Sequence, residues 1–224
     1  MSSQDVGPGS TLTGVASVTR KPATSRQDRR AEIERRLLDA TERLMRAGAS
    51  YTELSVDRLA TEAGISRASF YIYFEDKGHL LRLLAGQVFS DLATSGQRWW
   101  GVAQRRDPED VRAAMTAIIA NYRQHQPLLV ALSEMAGYDP QVAATYRELL
   151  AAISHQAAQV IEEGQADGAI RRELPAATTA SALTWMVERA CYQNLPNHGP
   201  DYDAELATAL TEVVWGALYL TPTA

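Results

Sequence analysis

The sequence predicts an all-α chain: an N-terminal three-helix unit with helix-turn-helix spacing, then a larger helical bundle. Three observations carry this. Apolar residues recur at i, i+3, i+4 and i+7 in segment after segment. Ser, Asp, Pro and Gly punctuate those segments at helix-length intervals. No stretch offers a credible strand, a hairpin turn or an internal repeat. With 224 residues, 46% of them hydrophobic, the chain can bury one large core or two small ones.

Residues 1–25 are rich in Ser, Thr, Gly and Pro and carry no period, so they are expected to be a disordered tail with a basic end. That end, Arg20 to Arg26, fits an arm reaching into a minor groove and fits a solvated tail equally well. A first helix is expected from about Asp28 to Arg46, with Ile33, Leu37, Ala40, Thr41 and Leu44 on one face and Gly48 at its end. Arg29, Arg30, Arg35 and Arg36 could touch phosphates, but Glu32, Glu34 and Asp39 stand close enough to pair with them.

The stretch from Leu54 to Leu81 organises the rest. Ser55 suits the N-cap of a short helix bearing Val56, Leu59, Ala60 and Ala63. Gly64 suits the left-handed residue that ends it. Ser66 can cap a second short helix, Arg67 to about Ile72, with Phe70 turned inward. Helix, Gly-containing turn, helix is the helix-turn-helix plan, whose second helix enters a DNA major groove. Glu75 and Asp76 complement the start of a third helix, and Lys77 with its free backbone N–H groups can hold a phosphate.

That third helix should run to Gly96 or Trp100 and join the head to the body, so the boundaries are 1–25, 26–74 and 75–224. Asp107-Pro108 opens the next helix, which Pro127 should break, leaving a short helix from Leu128 to Gly137. Asp139-Pro140 opens a long one that ends between Gly164 and Gly168. Another starts at Pro175, the stretch Asn197 to Pro200 is a loop, and the last helix runs from Asp201 to about Tyr219.

The net charge of −5 argues at first against a nucleic-acid partner. Its distribution reverses that. Between Arg20 and Arg82 there are 13 Lys/Arg against 10 Asp/Glu; from Leu83 onward there are 9 against 16. A basic head on an acidic body suits a DNA-binding unit joined to one with another task. The single cysteine, Cys191, excludes an intrachain disulfide and suggests a reducing, cytoplasmic setting. No apolar run is long enough for a bilayer, and no signal-peptide core is seen at the N-terminus.

Catalytic chemistry finds no foothold. The 4 histidines stand far apart without an i, i+4 partner, so neither metal nor cofactor is expected. Cys191 lies in an apolar stripe, and no nucleophile–base arrangement is readable. Glu162-Glu163 and the pair Asp201/Asp203 read as solvated helix ends. A set of aromatics and methionines (Trp99, Met115, Tyr122, Trp185, Tyr192 and Trp215 among them) reads by itself as ordinary core.

The run Ala63-Gly-Ile-Ser-Arg-Ala-Ser-Phe-Tyr-Ile-Tyr-Phe-Glu-Asp-Lys77 resembles the DNA-binding signature of TetR-type bacterial regulators, in which Ala-Gly, a Ser, a Phe-Tyr pair and a closing Lys fall at these spacings. The likeness covers about fifty residues. A weaker one, carried by the order of helices, Asp167 to Pro175 and Met186-Val-Glu-Arg189, points to the EthR-like branch of that family. The resemblance implies a ligand-responsive homodimeric transcriptional regulator, a repressor released from a palindromic double-stranded operator by an apolar small molecule. It implies that Arg67, Ala68, Ser69, Ile72 and Tyr73 face the groove, while Ser55, Tyr71 and Lys77 hold phosphates. It turns the aromatic set into an effector pocket with Trp99, Met115, Ile118, Tyr122, Ile153, Gln156, Ala157, Thr184, Trp185, Glu188, Tyr192 and Trp215 as its walls. The stripes Leu183, Met186, Val187, Ala190 and Leu206, Leu210, Val213, Val214 are expected to form a four-helix dimer interface. The alternative class is a helical small-molecule carrier or enzyme whose N-terminal helices are purely structural.

Overall fold

The computed structural model describes residues 26–100 and 106–220, except the side chains of 96–100. The N-terminal tail with its basic end therefore lies outside the described residues, as do the side chains of Trp99 and Trp100.

Eight α-helices make up the described fold, and no strand occurs among these residues. The first, α1 (Arg26–Arg46), buries Ile33, Leu37, Ala40, Thr41 and Leu44, the face its periodicity marked, and Glu42 besides. Then α2 (Val56–Glu62) and α3 (Arg67–Tyr73) each begin at a serine. Ser55 Oγ accepts from the Arg58 N–H at 3.2 Å, and Ser66 Oγ from the Ser69 N–H at 3.0 Å. Between them Gly64 takes φ +66°, where side chains are strained. A Cβ there would also lie 2.5 Å from Arg36 Nη2, whose guanidinium donates to the Gly64 carbonyl at 2.7 Å. Phe70 and Phe74 pin α3 into the head's core, rings 5.1 Å apart.

Asp76 receives the His79 N–H at 2.7 Å and starts α4 (Lys77–Trp100). Asp107 caps α5 (Pro108–Met135), with Pro108 in its first turn. The break expected at Pro127 does not occur, and α5 runs on through it to Met135. Proline forfeits one backbone hydrogen bond. Its neighbours His125, Leu128, Leu129, Ala131 and Leu132 are all buried, and that packing holds the helix together. Asp139 caps α6 (Pro140–Ala166) through two N–H groups. Next comes α7 (Ala176–Asn194), then two 3₁₀ turns (Leu195–Asn197 and Pro200–Tyr202), then α8 (Asp203–Tyr219).

The body packs α4 along α5 and α6, α6 against α7, and α5 against α8. Asp203 is no solvated helix end. The Arg123 guanidinium grips its carboxylate and also donates to the carbonyls of Leu195, His198 and Gly199, so α5 staples the loop before α8. Head and body meet where α1 touches α5. There His125 Nδ1 lies 2.6 Å from Glu42 Oε1, with both side chains buried, and Arg46 donates to the Gln124 carbonyl at 2.6 Å. No helix among the described residues is long and apolar enough to cross a membrane.

Candidate functional site

The head presents α3 outward. Arg67, Ala68, Tyr71 and Ile72 are exposed, and Ser69 and Tyr73 are half-buried beside them. Ile72 is 74% exposed and Tyr71 47%, the head's two large apolar side chains left in water among the described residues. Arg67 lies between them and α2: its guanidinium pairs with Asp57 at 2.9 Å and sits 5.7 Å from the Tyr71 ring. Both partners of that pair are more than half exposed, so it holds Arg67 only weakly. Ser69 Oγ lies 2.8 Å from the capping Ser66 Oγ, and Ser55 stays exposed at the start of α2.

Lys77 is placed differently from expectation. Its ammonium donates to the carbonyls of Tyr51 (3.3 Å), Thr52 (2.9 Å) and Leu54 (2.7 Å). An ammonium has three N–H donors, so this lysine is committed to the turn before α2 and is not a free phosphate ligand. Burial there lowers its pKa. Tyr51 returns the bond, its hydroxyl donating to the Lys77 carbonyl at 2.8 Å. The arginines of α1 are largely engaged as well: Arg30 with Glu34, Arg35 with Glu32 and Asp39, Arg36 with Gly64.

The second site is a cavity inside the body, bounded by α4, α5, α6, α7 and α8. Its cavity volume, the space open to the centre of a water-sized sphere, is about 120 Å³. Phe89 and Leu92 come from α4; Ala114, Met115, Ile118, Tyr122 and Leu129 from α5; Tyr146, Leu150, Ile153, Ala157 and Ile161 from α6. Ala180, Leu183, Thr184, Val187, Glu188 and Cys191 come from α7, and Val214 from α8. Such a wall, apolar with a few polar groups gathered together, is the usual form of a small-molecule site. The Tyr146 hydroxyl donates to Glu188 Oε1. Glu188 Oε2 and the Tyr122 hydroxyl make no hydrogen bond within the protein. Burial first, then the Glu188 charge, pushes the Tyr122 phenol upward in pKa. Tyr146 rises through burial and its bond to Glu188. Burial pushes the Cys191 thiol up to about 12, so it stays protonated and unreactive at neutral pH.

Of the residues expected to line the pocket, Met115, Ile118, Tyr122, Ile153, Ala157, Thr184 and Glu188 do so. Four do not. Gln156 is exposed, one residue before Ala157 and so about 100° round the helix from it. Trp185 is 38% exposed on the outer side of α7, meeting Tyr146 edge-on at 6.2 Å. Tyr192 lies beneath the Arg189 guanidinium at 4.8 Å, and Trp215 stacks on Tyr219 at 4.2 Å. Trp99 falls among the side chains not described. The expected dimer stripes also divide. Leu183, Val187 and Val214 face the cavity. Leu206 and Leu210 are buried within one subunit, because α8 packs that face on α5. Met186 and Ala190 stay half-buried and Val213 is 50% exposed.

Phe89, Leu92, Leu150 and Ile161 escaped the sequence reading as cavity residues. Leu92, Leu150 and Ile161 hold a visible helical register and Phe89 stands one residue off it, but nothing local separates a residue facing a void from one facing a neighbour.

Two family models match the two halves. Residues 37–84 match the family described as bacterial regulatory proteins, tetR family, and residues 111–220 match the C-terminal domain of the transcriptional regulator EthR. The chain belongs to the TetR family of ligand-responsive, DNA-binding transcriptional regulators. Its body is EthR-like. The HTH-type transcriptional regulator EthR of Mycolicibacterium smegmatis is 28% identical over 89% of this chain and 93% of its own length. Two solved structures share the fold. A TetR-family regulator from Rhodococcus sp. has a TM-score of 0.68 at 21% identity, covering 84% of this chain and 98% of its own. The regulator FadR of Bacillus subtilis, solved in complex with stearoyl-CoA, has a TM-score of 0.68 at 15% identity, covering 82% and 98%.

Proposed function

We propose that this TetR-family chain is a repressor that holds a roughly palindromic operator as a homodimer and lets go when a largely apolar small molecule fills the body cavity. The observation that carries the reading is α4. At its start, Lys77 and Tyr51 bolt the helix to the head through four hydrogen bonds. Twelve residues on, about 18 Å along the axis, Phe89 and then Leu92 form cavity wall. A ligand that displaces those side chains moves the head through one rigid element. The two recognition helices then lose the spacing of about 34–36 Å that successive major grooves require. The fold's capacity for such a ligand is supported by the FadR relative, whose structure holds stearoyl-CoA.

In the head, Arg67, Ala68, Ser69, Ile72 and Tyr73 meet base edges, and Ser55 and Tyr71 meet phosphates. In the dimer, the outward faces of α7 and α8 pair with their copies. Exposed Ala182, Trp185 and Arg189 stand on one, and Ala209 and Val213, with half-buried Gly216, on the other.

Reciprocity is the test. A ligand that lowers operator affinity by some factor must itself bind more weakly by that factor when operator is saturating. A compound that raises the melting temperature is titrated with and without the duplex upstream of the chain's own gene. Equal affinity in both titrations removes that compound as an effector. Absence of binding to any sequence in a random duplex pool ends the DNA-binding reading.

A further inference from the structure

The cavity's polar groups are few, and they agree in sign. Glu188 is its one charged residue among the described side chains. The side chain is only 8% exposed. Its Oε1 accepts from Tyr146, while Oε2 is buried with no hydrogen bond. The Tyr122 hydroxyl, also buried and unbonded, lines the same cavity. A buried carboxylate oxygen is an acceptor only and costs free energy until a donor reaches it. Arg189 does not supply that donor. Its Nε stands 3.6 Å from Oε2, it is 49% exposed, and its guanidinium lies over the Tyr192 ring, outside the cavity wall. It offsets part of the charge from the protein side and leaves the cavity side open.

We infer that the effector of this cavity is an amphiphile whose polar end donates hydrogen bonds to Glu188, best as a protonated amine, with an apolar tail between α5 and α6. The inference rests on the cavity being the effector site. The tail has Ile118, Leu150, Ile153 and Ala157 to lie against. Around the head, Phe89, Tyr122 and Tyr146 line the wall, and aromatic rings attract a cation. Tyr146 stays a donor to the carboxylate, since its phenol resists ionisation. A carboxylate or phosphate head in that position would meet Glu188 as a like charge and leave Oε2 unbonded. The site thus selects against fatty acids of the same length.

A matched series at pH 7 tests this: decylamine, decanol and decanoate, each below its micelle concentration, titrated by calorimetry and scored for operator release. The amine is expected to bind at least ten-fold more tightly than decanoate, with decanol between them. In Glu188→Gln the amine-to-carboxylate ratio should fall to within about two-fold. Ala157→Trp, and Thr184→Trp as a second filling variant, should weaken all three, with circular dichroism melting confirming that each variant folds. Decanoate binding as tightly as the amine, or a ratio unmoved by Glu188→Gln, overturns the inference while leaving the cavity as effector site. Amine binding undiminished in both folded filling variants also overturns it, because the preference would then be the pull of an acidic surface. Failure of all three compounds to bind the wild-type chain or release operator removes the cavity reading, and the inference with it.

Discussion

Arg67 and Lys77 show how much a side chain's partners decide its role. Arg67 opens α3 and Lys77 opens α4, and nothing in their local sequence marks either cation as structural. Arg67 is tied by one exposed ion pair to Asp57, an interaction worth under about 1 kcal/mol. DNA can therefore take it over at small cost. Arg67→Ala should weaken operator binding by about 1–3 kcal/mol and relax preference at one base pair, if the fork grips a guanine. Titrations at fixed salt against a panel of single-base variants read this directly, and equal affinity across the panel for both proteins takes Arg67 out of the readout. Lys77 is tied by three carbonyls to the turn that carries Ser55 into α2. Lys77→Ala should therefore lower the melting temperature of the DNA-free protein by several degrees, since each kcal/mol is worth about 2–4 °C at this size. An unchanged melting temperature, with the salt dependence of DNA binding reduced by about 0.9 in log–log slope, would instead return Lys77 to the phosphates.

Helices were legible where their chemistry is local. Ser55, Ser66, Asp107 and Asp139 each cap the helix that follows them. A cap needs only the next two or three residues, so sequence shows it. Pro127 is local too, yet its cost is outweighed by residues packed from other helices, which no local rule can see. The clamp between α1 and α5 is further out of reach: Glu42 and His125 are separated by 83 positions. The Glu42 side chain is only 8% exposed. Removing the imidazole leaves a buried carboxylate oxygen short of a partner, which costs about 1–3 kcal/mol. His125→Ala should lose that much in urea unfolding, and Glu42→Gln/His125→Ala together should lose less than the sum of the single changes. Strict additivity of the two would mean that the pair is not coupled. The same clamp fixes the head against α5 while α4 carries the ligand's push, so His125→Ala should also change the factor by which an effector weakens operator binding.

At the scale of the whole molecule, the extent of α3 was legible almost to its ends: Arg67 to about Ile72 was expected, and the helix runs Arg67–Tyr73. The interior was read less well because α7 is apolar on two sides. Leu183 and Val187 face the cavity, while Met186 and Ala190 lie a step further round the helix. Periodicity finds such faces but does not say which one a subunit buries by itself. That ambiguity misassigned Leu206 and Leu210, which a single subunit already covers. It leaves Val213 as the sharpest probe of assembly. Half of this valine is in water in one subunit, on the same side of α8 as Ala209 and Gly216. A Cβ added at Gly216 would meet nothing within 4 Å. Neither Val213→Glu nor Gly216→Leu should disturb a lone subunit, and leucine in place of glycine favours a helix. Across an isologous interface, however, every change is made twice and faces its copy or a near neighbour. The glutamate would bring an unpaired charge into the joint, and the leucine would hold the two α8 helices apart. Both variants should sediment as folded monomers at concentrations where wild type is a dimer. Both should bind operator far more weakly, because two half-sites are then no longer engaged by one rigid particle. Dimers of undiminished stability in both variants would move the interface off α8 altogether.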